Sequence, residues 1–311
     1  MKAIYIEQYG KTENLILGDI SMPEISPNQV LIKVHGAGIN PVDCMVRDGF
    51  LQDSDVHKLP LVLGWDAAGD IVKTGTNVTA FIPGDAVFVY APIAEQGAYA
   101  EYLAVDSELI AHKPKSLDTL TSAAVPLAAT TALQALIDGC QIKSGDKVLI
   151  HNASGGVGSF AVQIAKAYGA YVIGTASKAK EDYVRALGVD EFIDYRSQRF
   201  ENVVGNVDAV LAAVGGDDIL TRSIQVIRKG GHLISLLDDL DINIAKQHGI
   251  NFQRWWVMPN ANNLTEIAQL IDNGKITVNI DKIFPLNKIK QAHTLSESQR
   301  VSGKIVIDVT A

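Results

Sequence analysis

Six consecutive residues, Ala153-Ser154-Gly155-Gly156-Val157-Gly158, have the types and spacing to hold a phosphate. They read as G-x-G-x-x-G with Ala153 in the first glycine's place. Gly155 lets the main chain approach a pyrophosphate, and Gly158 lets a following helix sit close against the preceding strand. The amides from Ser154 through Gly156 and Val157 to Gly158 would then face the phosphates at a helix N-terminus, where the helix dipole favours an anion.

Such a turn needs elements to carry it. Val148-Leu149-Ile150 ahead of it is an apolar run of the kind found in buried parallel strands. Behind it Phe160, Ile164 and Ala167 recur at helical spacing, with Val157 and Ala161 on the same side. Tyr171-Val172-Ile173 supplies a second strand. Strand, turn, helix and strand in that order are the context a dinucleotide site requires.

The end of the second strand decides which dinucleotide. An NAD site places Asp or Glu there to accept from the ribose 2′-hydroxyl, and that carboxylate would repel a 2′-phosphate. Here the strand ends Thr175-Ala176-Ser177-Lys178-Ala179-Lys180, with no acid before Glu181. Ser177 can donate a hydrogen bond and Lys178 can pair with a phosphate. Basic residues beside a helix N-terminus are otherwise disfavoured. NADPH is therefore expected over NADH. Ligands of parallel sheets sit beyond the strand C-termini, which adds Val214 and Gly215 after a strand at 207–211, and Leu236 after the next.

The bulk properties allow two domains with proper cores. The chain has 311 residues, room for two domains, and 47% hydrophobic residues. No apolar run approaches the ~18 residues of a membrane span, and the start, MKAIYIEQYGK, lacks the order of a signal peptide. A net charge of −8 argues against nucleic acid and acidic membrane surfaces as partners. The cysteines, Cys44 and Cys140, lie far apart and form no C-x-x-C, so neither a disulfide framework nor a Cys-rich zinc lobe is indicated. The expectation is a soluble cytoplasmic protein.

Residues up to about 115 read as short strands cut by glycines. Val30 to Val34 is a strand that Gly36 and Gly38 break, and Leu61 to Lys73, Ala86 to Tyr90 and Ala98 to Val105 continue the pattern, as in a distorted barrel. Ser122 to Ile137 is Ala/Leu-rich and helical in character. Helices then alternate with strands, including a helix at Ile219–Ile227 and a strand at Gly231–Leu236, which implies a parallel sheet covered on both faces. Leu264 to Asn273 is an amphipathic helix, and Gly303 to Val309 is a strand that returns to the barrel. The expected fold is α/β, with a barrel domain at 1–117 and 278–311 and an inserted doubly wound domain at 118–277.

Six stretches in order resemble the medium-chain dehydrogenase/reductase superfamily, in its zinc-free quinone-oxidoreductase (zeta-crystallin-like) branch. They are GAGINPVDCMVRDG at 36–49, LPLVLGWDAAGDIVKTG at 59–75, PGDAVF at 83–88, AAVPLAATTALQAL at 123–136, the glycine stretch, and GKIVIDV at 303–309. The resemblance implies a GroES-like catalytic domain, a Rossmann domain, a nicotinamide cofactor and a homodimer. It also implies that Lys178 and Tyr195 flank the 2′-phosphate and that Thr131 approaches the nicotinamide end. Zinc-dependent relatives carry Cys where this chain has Asn40, and His where it has Trp65. A catalytic zinc needs about three protein ligands, and the seven histidines show no H-x-x-x-H spacing, so no metal is expected.

Without a metal, Asn40 and backbone amides are expected to bind the acceptor oxygen, although an Asn before Pro41 also reads as a turn residue. Relatives carry tyrosines where this chain has Met45 and Leu51, with Phe50 between, so the expected pocket of Met45, Phe50, Leu51 and Trp65 is apolar. Asp43 and Arg47 could form an ion pair, and no adjacent His supports Cys44 as a nucleophile. The function expected is NADPH-dependent reduction of a quinone. The alternatives are an enone or alkenal reductase acting on a C=C bond, and a low-turnover NADPH-binding sensor or structural protein.

Overall fold

The computed structural model of the chain describes residues 1–216 and 218–311. They divide into two compact units. One comprises Met1–Thr130, Met258–Asn273 and Val278–Ala311, the other Thr131–Val257 and Gly274–Thr277. None of the described helices is long and apolar enough to cross a membrane.

The first unit opens with strands β1 (Lys2–Ile6), β2 (Ile16–Asp19), β3 (Gln29–Ile39), β4 (Leu61–Val62), β5 (Asp66–Thr74), β6 (Ala86–Tyr90), β7 (Tyr102–Asp106) and β8 (Ile110–His112), with helix α1 (Pro41–Arg47) after β3. Strand β3 is the hub, pairing antiparallel with both β5 and β7. Gly36 and Gly38 do not break it, contrary to expectation. β3 runs through both, and each makes room instead. A Cβ at Gly36 would come within 3.0 Å of Leu120 and Ala123, and one at Gly38 within 2.9 Å of Asp66. Helix α2 (Thr119–Ser122) packs on β3 through that gap.

The stretch from Ser122 to Ile137 is helical as expected, in consecutive pieces. Helix α2 ends at Ser122, α3 spans Pro126–Gln134, and a π-turn covers Ala135–Gly139. Pro126 has no N–H to extend α2, but its fixed φ suits the first turn of a new helix.

The second unit alternates as β9 (Lys147–His151), α4 (Gly156–Ala167), β10 (Tyr171–Ala176), α5 (Glu181–Ala186), β11 (Glu191–Asp194), β12 (Val207–Ala212), α6 (Ile219–Ile224), β13 (Ile227–Ser235), α7 (Ile242–His248) and β14 (Asn251–Arg254). All pairs are parallel, in the order β11-β10-β9-β12-β13-β14. This is the doubly wound arrangement, and its order reverses at β9, where ligands of such sheets bind beyond the strand ends. Leu149, Ile173, Val210 and Leu233 form its core with Phe200, Leu220 and Ile224. One boundary moves: α6 stops at Ile224, and Ile227 already pairs with Val207 as strand. The pairing then skips to Ala209 opposite His232, with Gly230 at φ 77° taking up the extra chain.

Helix α8 (Ala261–Asp272), β15 (Ile280–Pro285), α9 (Ile289–Glu297) and β16 (Lys304–Asp308) belong to the first unit. β16 lies antiparallel to β3, Ile305 opposite Ile39, so the C-terminal strand does return to the N-terminal sheet.

Candidate active site

The glycine turn begins at Asn152, whose φ of 56° turns the chain out of β9. The Ala153 N–H donates to the Thr175 carbonyl at 2.9 Å, tying the turn to β10. Gly155 is the N-cap of α4 in extended conformation, and it has no side chain with which to cap the helix. The first N–H groups of α4 have no partner within the helix, so they suit an anion. Gly158 is dictated by space, since a Cβ there would run into the Asn152 carbonyl, while one at Gly155 would come 2.6 Å from the Asn152 side-chain amide. Ala153 is tolerated because β10 carries Gly174 opposite, where a Cβ would stand 3.1 Å from Ala153.

His151 braces this turn from below. It is fully buried, with Nδ1 3.2 Å from Thr175 Oγ1 and Nε2 3.1 Å from Ser223 Oγ. Ser223 gives its own hydrogen to the Ile219 carbonyl, so it accepts from Nε2–H, and Nδ1 accepts from Thr175. Burial, together with the Arg222 charge, holds His151 down to about 3, so it stays neutral.

At the next two strand ends, Ala176 and Asp194 stand in register. Ser177 is half-buried, while Lys178 and Tyr195 are exposed, Lys178 in an ion pair with Glu181. The Tyr195 N–H reaches the Ala176 carbonyl at 3.2 Å. Asp194 organises this corner: Oδ1 accepts from the N–H of Lys178 at 3.2 Å and of Arg196 at 3.1 Å, and Oδ2 from Ser197 Oγ at 2.8 Å. Sequence reasoning missed Asp194 and also Arg196, whose guanidinium lies 5.7 Å from the Tyr195 ring centre. Position next to Tyr195 was the available signal for both. Val214 and Gly215 follow β12, where Gly216 N–H donates to Asp238 at 2.7 Å. Leu236 follows β13, its N–H on the Ala212 carbonyl at 3.1 Å. Ser154–Gly158, Ser177, Lys178, Tyr195, Val214, Gly215 and Leu236 thus share the C-terminal edge of one parallel sheet.

In the first unit Asn40 is the N-cap of α1 and is 1% exposed. Its Nδ2 donates to Asp66 Oδ2 at 2.9 Å, and its Oδ1 accepts from the Lys304 ammonium. Lys304 also donates to the Ile39 carbonyl at 3.0 Å and stands 3.5 Å from Asp66 Oδ2. Asp66 Oδ1 accepts from the Leu127 N–H at 2.6 Å, at the start of α3. Asp43 Oδ2 accepts from the Asn40 N–H at 2.8 Å and from Tyr99 Oη at 2.6 Å, while its buried Oδ1 has no partner. Burial pushes Asp43 up to about 7, its two hydrogen bonds only partly opposing. Burial likewise raises Asp66 and lowers Lys304. Neither Asp66 nor Lys304 stood out in the sequence.

The expected Asp43–Arg47 pair does not form. Fully buried Arg47 pairs instead with Glu297 at 2.5 Å and Asp48 at 2.6 Å, because α9 brings Glu297 against α1. The fold does place a histidine by Cys44: Sγ lies 3.4 Å from His293 Nδ1. That nitrogen also faces Arg47 Nη1 at 3.1 Å, a group that can only donate, so Nδ1 is spent as an acceptor. Burial pushes the Cys44 thiol up to about 12. The pair is not an activated nucleophile.

Met45 is half-buried on α1, Leu51 is half-buried and Phe50 is exposed just beyond, the Phe50 N–H closing on the Met45 carbonyl at 2.9 Å. Trp65 is the remaining residue of the expected pocket. It is fully buried, its Nε1–H donating to the Glu95 carbonyl at 3.0 Å, because β4 and β5 carry it into the core. Thr131 is buried within α3. Among the described residues no group of three or more His, Cys, Asp or Glu could hold a metal ion. Two open concavities, of about 430 Å³ near His232 and Asn251 and about 380 Å³ near Phe284 and Thr294, touch none of the residues expected at the site.

The chain matches two family models, an alcohol dehydrogenase GroES-like domain over residues 26–115 and a zinc-binding dehydrogenase domain over 187–307. It is 36% identical to the chloroplastic NADPH-dependent alkenal/one oxidoreductase of Arabidopsis thaliana, across 99% of this chain and 79% of that one. The quinone oxidoreductase of Coxiella burnetii superposes with a TM-score of 0.93 at 36% identity over 99% of both chains. The Escherichia coli quinone oxidoreductase in complex with NADPH gives a TM-score of 0.89 at 26% identity, over 99% of this chain and 100% of that one.

Proposed function

Because the chain belongs to the zinc-free quinone-oxidoreductase branch of the medium-chain dehydrogenase/reductase superfamily, we propose that it is an NADPH-dependent reductase of quinones or other electron-poor conjugated carbonyls. The observation that carries this reading is the C-terminal edge of the second unit's sheet. There an uncapped helix start follows Gly155, and Ser177 and Lys178 stand where an NAD site would present an acid. The glycine turn fits a pyrophosphate, since a side chain at Gly158 would collide with the Asn152 carbonyl.

When bound there, NADPH would supply a hydride to the acceptor, and a proton from water would complete the reduction. The chain's own residues bind and orient. The amides of Ser154 to Gly158 hold the pyrophosphate, Ser177, Lys178 and Tyr195 hold the 2′-phosphate, and Val214, Gly215 and Leu236 border the cofactor, with Thr131 towards its nicotinamide end. Asn40 donates to the acceptor oxygen. Met45, Phe50 and Leu51 make the acceptor side apolar, which suits a flat conjugated ligand. Reduction of an enone C=C bond is the second reading, favoured by the alkenal/one oxidoreductase relative.

The same reading extends to a homodimer, supported by β14 at the edge of its sheet with exposed residues along it. It also extends to a cytoplasmic location, supported by two free, buried cysteines.

The deciding experiment follows NADPH oxidation at 340 nm against a panel of quinones and α,β-unsaturated carbonyls, with NADH and EDTA as controls. Turnover with NADPH that EDTA leaves intact is the expected result, and the better acceptor class separates the two readings. Loss of activity in EDTA would overturn the metal-free mechanism.

A further inference from the structure

The buried cluster around Asn40 contains more than binding an acceptor oxygen requires. The ammonium of Lys304, 3% exposed, has three neighbours: the Ile39 carbonyl, Asn40 Oδ1 and Asp66 Oδ2. All are acceptors, and an ammonium has three hydrogens to give. Asn40 is therefore oriented without ambiguity. Lysine can only donate and the Asp66 carboxylate accepts, so Oδ1 must face Lys304 and Nδ2 must face Asp66, as found. A carboxamide nitrogen carries a second hydrogen, and that hydrogen is what Asn40 can offer an acceptor. The cluster joins the stretches at Asn40 and beside Trp65, and β16 brings the Lys304 side chain to both.

We propose that Lys304 is a positioning residue for the reduction, its buried ammonium fixing the Asn40 carboxamide and polarising it, so that the second Nδ2 hydrogen becomes a stronger donor to the acceptor's carbonyl oxygen. The proposal rests on the reading of Asn40 as the acceptor-binding residue. Drawing charge from Oδ1 shifts the amide towards its C=N⁺ form, and donors polarised by a neighbouring charge make shorter, stronger hydrogen bonds. A buried ion pair is by itself a weak source of stability, so the lysine's placement calls for another use. The donor is preorganised in a buried site, where such a bond acts most strongly on charge that develops during reaction.

Three variants test this: Lys304→Met, Asn40→Ala, and the two together. Lys304→Met leaves Asp66 without its cation, which destabilises the fold. Lys304→Gln is therefore made as well, since its amide nitrogen still donates to Asn40 Oδ1 without the ammonium charge. Each is measured for kcat on a weakly electrophilic enone and on a benzoquinone, and for the NADPH dissociation constant by fluorescence titration. Removing the lysine charge is expected to lower kcat on the enone by roughly tenfold or more, the quinone suffering less because it needs less polarisation. The NADPH dissociation constant should stay within about threefold, and no further loss should appear in the Asn40→Ala background. An equal loss in both backgrounds, an equal loss on both acceptors, or a loss confined to NADPH binding would each overturn the role of Lys304 while leaving that of Asn40 standing. Full activity of Asn40→Ala would overturn the underlying reading, and this proposal with it.

Discussion

Asp43 shows how a single buried carboxyl sets the pH response of the first unit. It is held protonated up to about 7 by burial, against 3.8 for an ordinary aspartate. Between those values the native state keeps a proton that the unfolded chain has released, so this group's contribution to stability is lost as pH rises through that window. His151 and His293 act in the opposite sense. Both are pushed down to about 3 by burial, so below about 6.5 the unfolded chain takes protons that the native state refuses. The comparison that isolates Asp43 is with Asp43→Asn, which keeps an acceptor oxygen for Tyr99 and Asn40. The variant should gain stability relative to the parent as pH rises from about 4 to 7, by on the order of a few kcal/mol, and no further above that. A stability difference that is flat with pH in thermal melts would show that Asp43 is ionised throughout.

At the scale of elements, the glycines did three different jobs that one-letter reading treats alike. Gly158 closes a turn whose backbone forbids a side chain there. Gly36 and Gly38 make room for α2 and Asp66 on an unbroken strand, and Gly230 absorbs a register skip. Gly158→Ala forces its new methyl into the Asn152 carbonyl, a backbone atom that cannot step aside. The expected cost is about 1–3 kcal/mol of stability, as for other overpacked sites, and a loss of NADPH affinity of tenfold or more. Gly205→Ala, where a Cβ would meet nothing, is the control and should change neither melting temperature nor NADPH titration.

At the scale of the whole molecule, β14 leaves a sheet edge whose N–H and C=O groups would invite uncontrolled pairing if left bare. Sedimentation velocity should show a species of twice the chain mass, and lysines at exposed Asn251 and Gln253 should shift it to the single chain. A parent that sediments as one chain at micromolar concentration would sink the dimer. What the sequence determined by itself was local: the glycine turn, the absence of an acid after β10 and the alternation that builds a parallel sheet all depend on neighbours in the chain. Turn chemistry and hydrophobic period are short-range properties, so they can be read in order. What only the tertiary structure decided were the partners across long loops. Lys304 meets Asn40 and Asp66, Glu297 takes Arg47 from Asp43, His293 faces Cys44, and Trp65 goes into the core. These partners are set by strand register and helix packing, and no spacing along the chain encodes which buried charges will meet.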